Sequence, residues 1–409
     1  MRHSSWRHGA LRLLVAALAL AGLAVAVAAC GGGGSKSTTS GQPTGNAKQG
    51  GTLTMVSAAD VDNALDPGYS YYQYDFILDE ALHRTLYSYK PTDTTQPSPD
   101  LATGPAQVSD GGKTVTVKIK SGVKFSPPVN REVTTADVKY AMERDFMPRV
   151  GNGYSNAYWG DIEGAKQFAA GKADSISGIE TPDDQTLVIH LTRPTAAVAI
   201  GAMALPGTAP VPKEYASKFD KGSHSTYGQH LVTTGPYMVQ NNSSGKVTGY
   251  DPGHRIVMVR NPNWDKSTDF RPAYLDKVVV EEGNDPTVGN RKVLTGQDMV
   301  ANPVDMPPPS AVLKQASNSY KSQLLGGTFT GRFRYVALNT KVKPFDNINV
   351  RKAVIAGIDK SAMQLAFGGP AVGDIPTHFL SPGLAGFDQS GGKQGPCLLY
   401  TSPSPRDTR

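Results

Sequence analysis

From Leu13 to Ala29 the chain is an uninterrupted run of Leu, Ala, Val and Gly, and that run confines whatever can fold in water to the residues after it. It is short for a comfortable bilayer span and is preceded by Arg2, Arg7 and Arg12, the basic-then-apolar order of an export signal. A membrane anchor is the competing reading, and the small residues of Val27-Ala28-Ala29-Cys30 argue against it. No arginine pair precedes the run, so ordinary export of an unfolded chain is expected rather than the twin-arginine route. Gly31 to Ser35 and the Ser, Thr, Gly and Lys that follow, to about Gly51, bury too little apolar surface to offset their ordering entropy. Residues 31–50 are therefore predicted to be a flexible tether.

Cysteine usage sharpens this picture. Val27-Ala28-Ala29-Cys30 resembles the bacterial lipobox, in which Cys30 carries lipid and becomes the first mature residue. The second cysteine, Cys397, opens Cys-Leu-Leu-Tyr-Thr-Ser-Pro-Ser-Pro-Arg-Asp-Thr-Arg, which resembles translated sequencing-adapter read-through. Residues 397–409 are expected to be a non-native tail, with native sequence continuing beyond Pro396. The body between these cysteines has no disulfide available to it, although export would have permitted one. It must be held together by burial, and at this length two lobes are expected.

The formal net charge of +6 overstates the basicity. The signal arginines, the tail, Lys36 and Lys48 account for it, which leaves the body near neutrality. A nucleic-acid partner would require a basic stripe, and none is present. Enzyme signatures fail as well. Gly112-Lys113-Thr114 would end a phosphate-binding loop, but Gln107 stands where the first glycine belongs. Gly151-Asn152-Gly153 lacks the third glycine of a dinucleotide loop. There is neither a Gly-x-Ser-x-Gly elbow nor a His-Glu-x-x-His pair. His83, His190, His224, His230, His254 and His378 show no metal-ligand spacing and read as ordinary surface or core residues. No cofactor and no enzyme activity are expected.

Periodicity places the elements. Residues 51–56 read as a strand, Leu65-Asp66-Pro67-Gly68 as a turn, and the stripe of Ile77, Ala81, Leu82 and Leu86 as a helix over 76–86. A hairpin turn at 108–113 leads into the alternating strand 114–120. Thr134 reads as the N-cap of a helix reaching about Arg144. Strands are predicted at 186–191, 256–260, 277–281 and 333–338, and a helix at 349–359. Strands and helices interleave without repeats, which predicts a mixed α/β fold with more than one lobe.

Several segments carry a resemblance. In order they are Leu65-Asp66-Pro67 and the following helix ending at Leu86-Tyr87, then Pro99-Asp100-Leu101-Ala102, Ser109-Asp110-Gly111, Gly122-Val123-Lys124-Phe125 and Thr135-Ala136-Asp137-Val138. Then come Thr234-Gly235-Pro236-Tyr237, Arg260-Asn261-Pro262-Asn263-Trp264, Leu338-Asn339 with Pro344-Phe345-Asp346, Asn349-Val350-Arg351-Lys352-Ala353, and Ile358-Asp359-Lys360. In this order over residues 51–382 they resemble the oligopeptide- and dipeptide-binding family of extracytoplasmic solute-binding proteins (family 5), which serve ABC importers. The chain departs from the family at Ser126-Pro127-Pro128, where members usually have His-Asp-Gly. Members also run on well past the Pro382 region.

The resemblance implies an α/β, two-lobed periplasmic-binding-protein-like fold with a hinge, the second lobe incomplete. The first lobe is expected over 51–275, with an inserted subdomain at about 95–190, and the first part of the second over 276–396. Closure would bury a peptide or other small solute, hydrogen-bonding a backbone common to all peptides. The partners implied are a membrane permease of an ABC importer and, through lipid on Cys30, the outer face of the cell membrane. The protein itself is expected to be a monomer. Counting from Leu65-Asp66-Pro67, the segment holding Tyr69, Tyr71, Tyr72, Gln73 and Tyr74 falls where members line the cleft. Its rings offer flat apolar faces with polar tips, although alternate tyrosines could instead turn inward. Asn302, Phe333, Tyr335 and Asn339 are placed by resemblance near strand ends of the second lobe. Trp159 and Trp264 read as structural. Within binding, nickel, haem or a glycan are alternative solutes. A tethered secreted hydrolase would need a nucleophile or metal constellation that is not found, and a purely structural envelope lipoprotein would not need the tyrosines.

Overall fold

The computed structural model describes residues 48–58, 65–90, 93–296, 299–301, 306–321 and 333–371, and in shorter pieces 373–376, 379–382, 384 and 386–392. Cys30, Cys397 and Asn302 lie outside the described residues. No described helix is long and apolar enough to cross a membrane.

The chain enters through β1 (Thr52–Val56), turns at Leu65–Gly68 and forms α1 (Gln73–Leu82). A hairpin of β2 (Tyr87–Lys90) and β3 (Asp93–Pro99) follows. Next come β4 (Gln107–Ser109), β5 (Thr114–Lys118), α2 (Thr135–Arg144), the single turn α3 (Ser155–Tyr158) and α4 (Ala165–Ala169). Then β6 (Ile179–Asp183) and β7 (Thr186–His190) complete an antiparallel sheet in the order β4-β5-β7-β6, and α5 (Ala196–Ala202) and the single turn α6 (Lys213–Ala216) follow it. Alternation explains this sheet. Val115 and Val117 of β5 and Leu187 and Ile189 of β7 are buried on one face, where α2 packs with Val138 and Met142.

A second, mixed sheet joins segments distant in sequence. Its order is β12 (Met299–Ala301), β1, β11 (Lys277–Glu281), β10 (Arg255–Arg260) and β8 (Tyr237–Val239), with the short β9 (Tyr250–Asp251) on β10. β1 runs parallel to both β11 and β12, and Thr52 pairs with Lys277. Because β11 pairs with β1 and β10, strands from before and after residue 275 share this sheet. One apolar cluster reaches from Leu65 through both sheets to Val280.

The strands expected at 114–120, 186–191, 256–260 and 277–281 all form, within a residue or two at their ends. Thr134 caps α2 as expected, and Asp137 accepts hydrogen bonds from the Thr134 N–H at 2.9 Å and hydroxyl at 3.2 Å. Two expectations need correcting. The helix predicted over 76–86 starts at Gln73, because the Asp75 carboxylate accepts from the N–H groups of Tyr71 and Tyr72. It stops at Leu82, because the chain beyond it is held elsewhere. The Arg84 N–H donates to Thr234, its guanidinium to Asp100 at 2.7 Å, and the carbonyls of Thr85 and Leu86 accept from Leu101 and from Asp100 and Ala102. The strand predicted at 333–338 does not form, since no strand among the described residues lies beside it to share hydrogen bonds.

Beyond β11 come α7 (Pro286–Leu294), α8 (Ser310–Ser319), α9 (Ile348–Gly357) and α10 (Lys360–Ala366). Asn347 caps α9 by accepting from Asn349 N–H, but neither α9 nor α10 buries a residue.

Candidate binding site

The tyrosine-rich segment is held by a buried charge network. Arg144, the last residue of α2, is wholly buried and donates two parallel hydrogen bonds to Asp66, at 2.9 and 2.7 Å. Its remaining donors reach Asp220 at 2.8 Å and the Ser225 hydroxyl at 3.3 Å. Tyr140 and Ser225 also donate to Asp220, and the Tyr227 ring lies under the guanidinium at 4.8 Å. Burial alone would push the Asp220 carboxyl up, but the bonds and charge of Arg144 outweigh it and hold it below the ordinary range. Asp66 in turn accepts from Gly68 N–H through its side chain and from Tyr69 and Ser70 N–H through its carbonyl, so the turn is fixed before the tyrosines begin.

From this turn the side chains divide. Tyr69, Tyr71 and Tyr72 are 37%, 48% and 69% exposed, and Gln73 is exposed in the first turn of α1. Tyr74 points the other way: it is buried and its hydroxyl donates to Glu282 at 3.0 Å. Tyr74 therefore does not belong to the exposed group expected from the sequence. Helix phase is the reason, since Tyr74, Leu78 and Leu82 share the inward face of α1.

Two tyrosines that sequence reasoning passed over complete the surface. Tyr154 stacks on Tyr71 with ring centroids 4.9 Å apart and planes at 20°, and its hydroxyl donates to the Tyr71 carbonyl at 2.9 Å. Tyr158, one turn later and 39% exposed, lies 5.9 Å from Tyr154, and Tyr72 stands edge-on to Tyr71 at 5.3 Å. Burial, then the neighbouring Tyr71 and Tyr158, push the Tyr154 hydroxyl's pKa up, so it stays a neutral donor. Asn152 joins the two segments: its amide donates to the Gly68 carbonyl at 2.7 Å and its oxygen accepts from Tyr154 and Ser155 N–H. The available signal was a Tyr-x-x-x-Tyr spacing directly after Gly151-Asn152-Gly153. Those glycines are needed, because a Cβ at Gly153 would stand 2.5 Å from the Tyr71 ring and Gly151 adopts a φ of +76°, which a side chain would strain.

The result is a wall of rings without an ionised group in either segment that builds it, residues 67–74 and 150–160. It offers flat apolar faces and hydroxyls for recognition, and supplies no nucleophile or general base. Among the described residues no three His, Cys, Asp or Glu side chains are arranged to hold a metal ion.

The second-lobe candidates are placed differently. Phe333 and Tyr335 stack with centroids 5.9 Å apart, and Phe333 also meets Phe379 at 5.1 Å. Tyr335 is 72% exposed. The Asn339 side chain accepts from Lys341 N–H and so shapes its own turn. No ring contact among the described residues joins this cluster to the tyrosine wall. Trp159 is buried, and Trp264 donates to Asp269 at 2.9 Å, as their structural reading requires.

Comparison with known proteins bears on the fold that carries this surface. Residues 96–396 match the model of bacterial extracellular solute-binding proteins, family 5. The chain is 26% identical over 263 residues to the oligopeptide-binding protein OppA of Bacillus subtilis, covering 63% of this chain and 44% of that one. It is 26% identical over 264 residues to the heme-binding protein A of Haemophilus influenzae, again covering 63% and 44%. The chain thus spans a little under half the length of these curated relatives. Among solved structures, the clavulanic acid biosynthesis oligopeptide binding protein 2 superposes with a TM-score of 0.65 at 31% identity, covering 82% of this chain and 59% of that one. The match over residues 96–396, on a mixed α/β frame, means that this chain belongs to the bacterial extracellular solute-binding proteins of family 5, which bind substrates rather than transform them.

Proposed function

We propose that this protein captures a peptide outside the cytoplasm and delivers it to the membrane permease of an ABC importer, working as a monomer held to the outer face of the membrane by lipid on Cys30. The observation that carries the peptide reading is the charge-free tyrosine wall on a turn locked by Arg144. Its rings are ordered before any ligand arrives, so little conformational entropy remains to be lost on binding. The family match and the names of the relatives support the same reading. Two lobes, the first built mainly from residues before 275, would close on the peptide and give the permease a shape to recognise.

Haem is the second reading, favoured by the relative of that name and by the flat tyrosine faces. The test is a thermal-shift and calorimetric series on the protein as its host makes it, with mixed oligopeptides, sugars, nickel and haem. A ligand raises stability by mass action, about 2.7 kcal/mol at a hundredfold excess over Kd. A rise in melting temperature with peptides alone is the expected result, and a rise with haem alone would replace the peptide reading. For the anchor, Cys30→Ser in the host should move the protein from the membrane to the soluble fraction. Retention after a high-salt wash would make Leu13–Ala29 a true membrane anchor.

A further inference from the structure

Three properties of the tyrosine wall restrict what can meet it. First, its outward surface is apolar ring with unspent hydroxyls: among the described residues, those of Tyr69, Tyr71 and Tyr158 have no hydrogen-bond partner. Second, the flanking acid is already committed. Asp75 is buried and accepts from the N–H groups of Tyr71 and Tyr72, so it does not face outward to pair with a cation. Third, the ring spacing is set in advance by the Tyr154 hydroxyl, Asn152 and the two glycines.

A charged ligand side chain laid on such a surface loses hydration and finds no counter-charge. A cation retains some attraction to an exposed tyrosine face, but less than a ring gains by adding stacking to its own apolar burial. An anion gains nothing from the faces. The ordering is therefore ring above cation above anion.

We propose that Tyr69, Tyr71, Tyr72 and Tyr158 form a selectivity subsite for the uncharged, ring-bearing side chains of a peptide (Phe, Tyr, Trp and Pro), with Tyr154 as its positioning residue. This rests on the peptide reading above. Tyr154 acts through Tyr71: its ring supports one face of Tyr71, and its hydroxyl holds the Tyr71 backbone.

The test is isothermal titration of the protein as its host makes it, with a tetra-alanine peptide carrying Phe, Lys or Glu at each position in turn. At one position Phe should bind at least tenfold tighter than Glu, with Lys between them. Tyr71→Leu and Tyr158→Leu should each bring the Phe-to-Glu ratio below threefold. Tyr154→Phe keeps the ring and removes the hydroxyl, and should lower the ratio part of the way. A wild-type ratio within threefold at every position overturns the subsite while leaving peptide capture intact. Binding of no peptide at all overturns both. An undiminished ratio in Tyr71→Leu removes the wall from the site. Should a variant fail to fold, the wild-type series alone still decides.

Discussion

Asp145, next to the arginine that locks the binding turn, is 2% exposed and lies between two glycines. A Cβ on Gly68 would come within 3.3 Å of its carboxylate and one on Gly207 within 2.2 Å. Burial pushes this carboxyl well above the usual range, and the charge of Arg144 only partly opposes it, since that guanidinium is bonded to Asp66 and Asp220. The folded protein therefore keeps a proton here that the unfolded chain has released once the pH exceeds 3.8. Stability must fall as pH rises, by about 1.4 kcal/mol per pH unit while that difference lasts. Asp145→Asn, which copies the neutral acid, should melt with a weaker decline than the wild type as the pH rises above 3.8. An identical decline in both would show that Asp145 is ionised when folded. Asp79 and His83 oppose each other. Burial raises Asp79 well above its ordinary value and lowers His83 to about 4. At this scale the segment holding Tyr69, Tyr71, Tyr72, Gln73 and Tyr74 was legible as a candidate for ligand contact, but which of its rings turn inward was not. The buried partners of Arg144 were not, because a bond between residues 66 and 144 leaves no local trace in the chain.

Elements were legible where their pattern is self-contained. β5 and β7 alternate strictly, and α2 announces its start with Thr134 and Asp137. β2, β3 and β6 were missed, as were the shorter β4, β8, β9 and β12: each exists through its partner rather than through its own residues. The end of α1 was misplaced for the same reason, since Asp100 and Thr234 decide where the chain leaves the helix. The turn before α3 gives an element-level test. Gly153→Ala places a methyl 2.5 Å from the Tyr71 ring and must displace it from Tyr154. The expected loss is about 0.5–1.5 kcal/mol in chemical denaturation, the worth of an aromatic pair. Gly104→Ala, with nothing within 4 Å, serves as control and should be near neutral. Equal effects from the two would mean that the Tyr71–Tyr154 stack contributes little.

Across the whole molecule burial is uneven. The sheet β4-β5-β7-β6 and α2 carry many of the deepest side chains, whereas α9 and α10 bury none and expose Ile348, Met363 and Leu365. Hydrogen exchange should follow that division, slow in β5 and β7 and faster by orders of magnitude in α9 and α10. Comparable protection in both would show that the later helices are covered in solution. The pairing of β1 with β11 has a different consequence, because it joins Gly51 and Asp276 across 225 positions. A chain threaded through a membrane channel from its amino end would deliver β1 to the outside first, and its two neighbours β11 and β12 only after more than 200 further residues. The sheet closed by residues 107–190 is free to form on the way, while β1 must wait as an open edge. The strand that begins the body is thus seated long after it emerges, and the slowest event in maturation is expected to be the arrival of residues 277–281 and 299–301 on its two sides.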